Sequence, residues 1–146
     1  MPAAVLLCLV VAIADGDTLT ARCGPPGAYH QLQVRVAAID APERRQAFGQ
    51  RACQQLATLC FRQQARIQPL SQDAYGRAVA DVQCRGQDAG QSQVRAGMAW
   101  VYTAYAQGHP RLAPLQRQAR AQRLGLWSQP RPVAPWVYRH RYATAR

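Results

Sequence analysis

Asp40 and Glu43 stand three positions apart in the stretch IDAPERR, residues 39–45, and Asp15 and Asp17 flank Gly16 in ADGDT. Acids are scarce in this chain: seven Asp and Glu face eighteen basic residues, and Glu43 is the single glutamate. A strand leaving the DGD turn, followed by a strand returning antiparallel to it, carries Asp40 back beside Asp17. Four of the seven acids then share one rim. Like charges so close raise one another's pKa unless a cation or arginines offset them. Carboxylate oxygens with no His or Cys ligand pattern nearby favour Ca²⁺ or Mg²⁺ over zinc. Each acid also has a plainer reading alone. Asp15 before Gly16 suits a tight hairpin turn, Glu43 suits the first turn of a helix, and Asp40 could close a strand. Their convergence in so acid-poor a chain favours the chemical reading.

To meet, these residues need strands on either side of them. Alternation and turn residues predict strands over 8–14, 18–23 and 31–39, the last stopped by Pro42. Phe48, Ala52, Leu56 and Leu59 then fall three or four apart, the period of a helix over 46–60. Two more strands follow, 66–70 and 77–84, around the turn SQDAYG. A short helix is expected over 90–98, with Val94 and Met98 four apart. A last helix begins near Pro110 and stops at Gly125. This order predicts an α+β, mainly β architecture: a five-stranded OB-fold Greek-key barrel with about three helices. The barrel domain is expected to span residues 1–127. Residues 128–146, rich in Pro, Arg and aromatics and without a period, are expected to be a flexible or loosely docked tail. Strand parity raises one difficulty, because a regular strand puts Arg35 and Asp40 on opposite faces unless it bulges or twists.

The formal net charge is +11 over 146 residues, and every Lys or Arg is an arginine. Planar, permanently charged guanidinium groups match phosphate, so a polyanionic partner is indicated, although Arg for Lys also follows from a GC-rich genome. The apolar N-terminal run is too short to span a bilayer. It lacks the basic start of a secretory signal; residues 1–7 are read as the possible remnant of an export signal beginning upstream. Cys8 and Cys23 are equidistant from the centre of Asp15–Gly16, and Cys60 and Cys84 bracket the SQDAYG turn. Two disulfides with Cys53 left as a lone thiol fit this placement, and with them a secreted or periplasmic location. His30, His109 and His140 have no partner spacing and are read as neither ligand nor base.

ADGDT, VRVAAIDAPE and DAYGR, in this order and spacing, resemble the staphylococcal nuclease (thermonuclease) family, and GMAWVY and GLW extend the likeness from Cys8 to Trp127. The resemblance implies a Ca²⁺-dependent phosphodiesterase acting on DNA and RNA and leaving 3′-phosphate ends. By motif, Asp17 and Asp40 would bind Ca²⁺ through carboxylates and Ala41 through its backbone carbonyl. Glu43 would be the general base, Arg35 and Arg77 would clamp the scissile phosphate, and Tyr75 would contact a neighbouring phosphate. The chain departs from the family's founding member at Ala41, Ala74 and Thr103, where that protein has Thr, Lys and a nucleotide-stacking Tyr. Tyr105 keeps a second aromatic position in the substrate pocket, and Tyr102 or Trp100 could serve there or belong to the core. A monomeric enzyme acting on nucleic acid is one expectation. The rival is a non-catalytic OB module that holds single strands through arginines and aromatics; retention of Asp17, Asp40, Glu43, Arg35 and Arg77 together speaks against it, since a binder has no use for Glu43.

Overall fold

The structure, a computed structural model, describes residues 4–143; the outermost residues of the two predicted ranges, 1–3 and 144–146, lie outside it. Its elements run β1 (Leu6–Asp15), β2 (Thr18–Cys23), β3 (His30–Val36), β4 (Ile39–Asp40), α1 (Gly49–Cys60), β5 (Gln64–Gln72) and β6 (Ala78–Cys84). After them come β7 (Gln87–Asp88), α2 (Ala89–Arg95), β8 (Trp100–Val101), α3 (Leu112–Ala121) and α4 (Pro135–Ala143), with 3₁₀ turns at Thr103–Tyr105 and Gly125–Ser128.

β1 pairs antiparallel with both β2 and β5, β2 with β3, and β5 with β6. A parallel pairing of β3 with β6 joins the two ends and closes five strands into a barrel. The predicted α+β OB barrel is therefore present, with four α-helices rather than about three. The alternate residues Val10, Leu19, Val34, Ile67 and Val82 fill the interior, and Leu56 of α1 and Val94 of α2 cover it. Each such side chain, fully buried, contributes about 1.5–3 kcal/mol of transfer free energy, which is what holds the barrel against chain entropy.

The hairpin turn between β1 and β2 lies at Gly16–Asp17, one residue later than the spacing predicts, because Asp15 pairs with Thr18. Two register irregularities in β1 then restore the offset, so that Leu9 meets Arg22 and Cys8 lies against Cys23. In the structure Cys8 is bonded to Cys23 and Cys60 to Cys84, with Cys53 left free. The predicted third strand breaks instead of running through to Ile39. β3 ends at Val36, Ala37 and Ala38 turn (Ala38 at φ 68°), and Ile39–Asp40 pairs separately with Trp100–Val101.

The tail also differs from expectation. Residues 135–143 form a helix rather than a flexible segment, with Ala134 just before it and Pro135 at its start both buried. Its own sequence has little amphipathic pattern, so tertiary contacts hold it. Trp136 packs edge-on to Trp100 at 5.6 Å between centroids and stacks on Tyr102 at 5.2 Å, and the Gln46 Nε2 donates to the Val133 carbonyl at 2.6 Å. No helix among the described residues is long and apolar enough to cross a membrane.

Candidate active site

The break after β3 resolves the parity difficulty. Arg35 lies at the end of β3, and its Nη1 donates to the Ile39 carbonyl at 2.9 Å and, more weakly, to the Val36 carbonyl at 3.4 Å. The guanidinium thus laces the bend formed by Ala37 and Ala38. From there its Nη1 lies 3.1 Å from Asp17 Oδ2 and its Nη2 3.3 Å from Asp40 Oδ1. One planar cation therefore stands against both carboxylates, which β2–β3 pairing and the bend bring to the same rim.

Both acids are buried, Asp17 at 5% exposure and Asp40 at 0%. Buried carboxylates need compensating donors or cations, and each has them. Asp17 Oδ2 accepts the Ala41 N–H at 2.7 Å and its Oδ1 accepts the Thr18 hydroxyl at 2.8 Å. Burial pushes the Asp40 pKa up, opposed by hydrogen bonding from Arg139, while the charge on Asp17 raises it further. Asp15, at the end of β1, is pushed up to about 7, first by burial and then by the neighbouring Asp17.

Two devices fix the turn that carries Asp17. Gly16 leaves no room for a side chain, since a Cβ there would lie 2.6 Å from the Ala52 Cβ and 2.8 Å from the Ala41 Cβ. Gln93, 1% exposed, donates from Nε2 to the Gly16 carbonyl at 2.8 Å and to the Ala52 carbonyl at 2.9 Å. Gln93 was not legible as a site residue: nothing in its surroundings in the sequence separates it from surface glutamines. Glu43 follows buried Pro42 and sits in a turn, where the Gln46 N–H donates to its carbonyl at 2.8 Å and its own N–H donates to the Gln46 Oε1 at 3.1 Å.

The main residue missed by sequence reasoning is Arg139, on α4. Its Nη1 donates to Asp40 Oδ1 at 2.9 Å and to Glu43 Oε1 at 2.8 Å, while its Nη2 donates to Asp40 Oδ2 at 2.7 Å. Asp40 and Glu43 are thereby joined through one guanidinium. These contacts hold the Arg139 pKa above even its usual high value, chiefly through the bond to Asp40. The one signal available, Arg within an aromatic-rich tail, could not say which arginine would be used.

The other predicted residues lie at varied distances from this cluster. Arg77 makes its ion pair elsewhere: its Nε is 2.7 Å from Asp73 Oδ2 and its ring neighbour is Tyr75, 5.5 Å away. Asp73 caps the turn, its Oδ1 accepting the N–H groups of Tyr75 and Arg77 at 2.9 and 3.0 Å. The closing β3–β6 pairing nevertheless aligns Arg35 with Val79, two residues from Arg77. Tyr75 and Tyr105 are exposed, at 84% and 68%. Tyr102 packs against Trp136 and Tyr105, and Trp100 against Trp127 and Trp136, so both belong to the aromatic seat of α4. Ala41 donates its N–H to Asp17 Oδ2 at 2.7 Å, which ties the residue whose carbonyl the motif assigns to the ion to one of the two acids. His109 is paired with Asp81, Nε2 to Oδ1 at 2.7 Å. That pair lines a cavity of about 250 Å³ that contains none of the predicted site residues.

Among the described residues no three His, Cys, Asp or Glu side chains are grouped to hold a metal by themselves. The set is two carboxylates, hard oxygen donors, each already facing a guanidinium. In donor type these carboxylates suit a hard cation such as Ca²⁺ or Mg²⁺.

Comparison with known proteins identifies the class of domain to which this closed barrel and its rim of buried acids and guanidinium groups belong. Residues 33–129 match the family model described as staphylococcal nuclease homologue. The chain is 42% identical over 142 residues to the "Micrococcal nuclease" of Shigella flexneri, covering 89% of this chain and 78% of that protein. It is 39% identical over 132 residues to an "Uncharacterized endonuclease" of Haemophilus influenzae, covering 90% of this chain and 72% of that protein. It is 38% identical over 142 residues to "Protein ParB" of Escherichia coli, covering 89% and 77% respectively. The chain belongs to the staphylococcal nuclease family.

Proposed function

We infer that this chain is a nuclease that hydrolyses phosphodiester bonds of DNA and RNA with the help of Ca²⁺, leaving 3′-phosphate ends. The observation that carries the reading is the pair Asp17 and Asp40 on one Arg35 guanidinium, with Glu43 tied to Asp40 through Arg139. A chain so poor in acids has no structural need to bury two of them side by side. Asp17 and Asp40 would hold the ion, together with the Ala41 backbone carbonyl. When bound, Ca²⁺ supplies positive charge against the charge that grows on the phosphate oxygens. Glu43 accepts a proton from the attacking water, a role worth about 10²–10⁴-fold in rate. Arg35 and Arg77 donate to equatorial oxygens of the phosphate, each planar fork matching two oxygens. For Arg77 this means sharing its fork between substrate and Asp73. Tyr75 and Tyr105 present exposed rings to a neighbouring phosphate and a base.

We place the protein outside the cytoplasm on the strength of its two cystine pairs, and propose that it acts as a monomer. The deciding experiment incubates end-labelled single-stranded DNA and RNA with the protein in calcium or in chelator and maps the termini produced. Cleavage only in calcium, with 3′-phosphate ends, is expected. Glu43→Gln should bind nucleic acid as the wild type does and turn over about 10²–10⁴-fold more slowly. Normal turnover in that variant would remove Glu43 from the role of base, and equal cleavage in chelator would remove the ion.

A further inference from the structure

We propose that α4 is a latch on the carboxylate rim: Arg139 occupies Asp40 as a built-in cation, and docking of the helix competes with binding of a divalent ion. The proposal rests on the reading that Asp40 is an ion ligand.

Both oxygens of Asp40 are engaged by Arg139, at 2.9 and 2.7 Å, and Oδ1 also faces Arg35. A divalent ion needs at least one of those oxygens and would stand beside a guanidinium of like sign. Arg139 cannot yield by losing its proton, because arginine stays charged in proteins. It has to move. Its side chain is 40% exposed and Glu43's is 35%, so the guanidinium can swing into water without opening the core.

The contact has the geometry of a seat rather than of a chance surface pair. Asp40 and Trp100 are cross-strand partners in the β4–β8 pairing. Trp136 and Arg139 stand three residues apart on α4, hence on one face of a helix. Trp136 lies on Trp100 while Arg139 lies on Asp40, so one turn of helix straddles one strand pair. Gln46, two residues after Arg44 in the loop that carries Glu43, fastens the approach to the helix through the Val133 carbonyl. A single guanidinium thus covers both the predicted ion ligand and the predicted base, Glu43, and dedicated aromatic packing puts it there. Because coupling between two sites is reciprocal, an ion that evicts Arg139 loosens α4, and a loosened α4 raises affinity for the ion.

The test is calorimetric titration of Ca²⁺ alone, without nucleic acid, into the full-length wild type, Arg139→Gln and Trp136→Ala. Hydrogen exchange of α4 amides is followed in parallel. Arg139→Gln should bind calcium about 5–150-fold more tightly, the usual span of such coupling. Trp136→Ala, which undoes the seat without touching a carboxylate, should shift affinity in the same direction. Exchange in α4 of the wild type should quicken at saturating calcium. Equal or weaker calcium binding by Arg139→Gln overturns the latch while leaving the ion site standing. Exchange in α4 that stays slow at saturation overturns it as well. If none of the three proteins binds calcium, the ion reading falls and the competition falls with it.

Discussion

Replacing Arg35 with alanine tests whether this residue holds the rim together as well as serving chemistry. Arg35 is 15% exposed, and it faces Asp17 and Asp40 carboxylates that are 7% and 1% exposed. Removing one partner of a buried ion pair costs about 3–5 kcal/mol, because a charge is left without compensation. Arg139 remains on Asp40, so Asp17 is the acid most affected, and the lower end of that range applies. Loss of the 2.9 Å bond to the Ile39 carbonyl adds about 1 kcal/mol and frees the bend at Ala37–Ala38. The sum is about 4 kcal/mol, a large share of the stability of an ordinary domain. Urea unfolding in chelator, followed by far-UV circular dichroism, should show the midpoint falling by roughly 2 M for a slope near 2 kcal/mol/M. Turnover by the fraction still folded should also drop, by about 10²–10³-fold if the guanidinium grips the reacting phosphate. Arg35→Lys restores a charge without the fork. It should regain part of the stability and little of the rate. A stability loss below about 1 kcal/mol in the alanine variant would refute the view that Arg35 compensates buried acids.

Three further outcomes are expected. Gly49→Ala should destabilise the protein and impair turnover together, because a Cβ at that position would run into the Glu43 carbonyl and push the loop that carries the proposed base; parallel melting and rate measurements check this. Asp15→Asn, studied in chelator, should be more stable than wild type at pH 8 and equal to it below about pH 4. The sign follows from the raised pKa of about 7: between the unfolded and folded values the native state holds a proton that the unfolded chain releases, so wild-type stability falls as pH rises through that window. Thiol labelling of the denatured, unreduced protein should find one reactive cysteine, Cys53, and five after reduction; five without reductant would remove the basis for an extracytoplasmic location.

Much of this site could be read from local chemistry. Alternation fixed the strands because one face of each is buried, as at Val10, Leu19 and Val34, and the scarcity of acids singled out Asp17, Asp40 and Glu43. The cystine pairs were legible although the turn was placed one residue early, since two irregularities in β1 cancel the offset. Parity failed at Asp40 because a period of two holds only while a strand runs on, and no residue type announced the left-handed Ala38. Helix α4 was not legible. The prolines at 130 and 132 before it, Pro135 at its start and its arginines have the composition of a loop, and its fold depends on Trp100, Tyr102, Asp40 and Gln46, all distant in sequence. Arg77 matched its motif, and its guanidinium is paired with Asp73, a contact that i,i+4 spacing alone could have suggested.

The two cystines share one level of the barrel. Register runs Cys23 to Cys8 to Ala65 to Cys84 across four neighbouring strands, and Cys60 joins from the end of α1. That level lies at the far end of β1 from Asp15, about 23 Å away at 3.3 Å per residue. A reductant would therefore slacken the floor of the molecule and leave the chemistry at its mouth unaltered. Reduced molecules should work at full speed for as long as they last, so a reducing milieu would act as a timer on this protein instead of a brake.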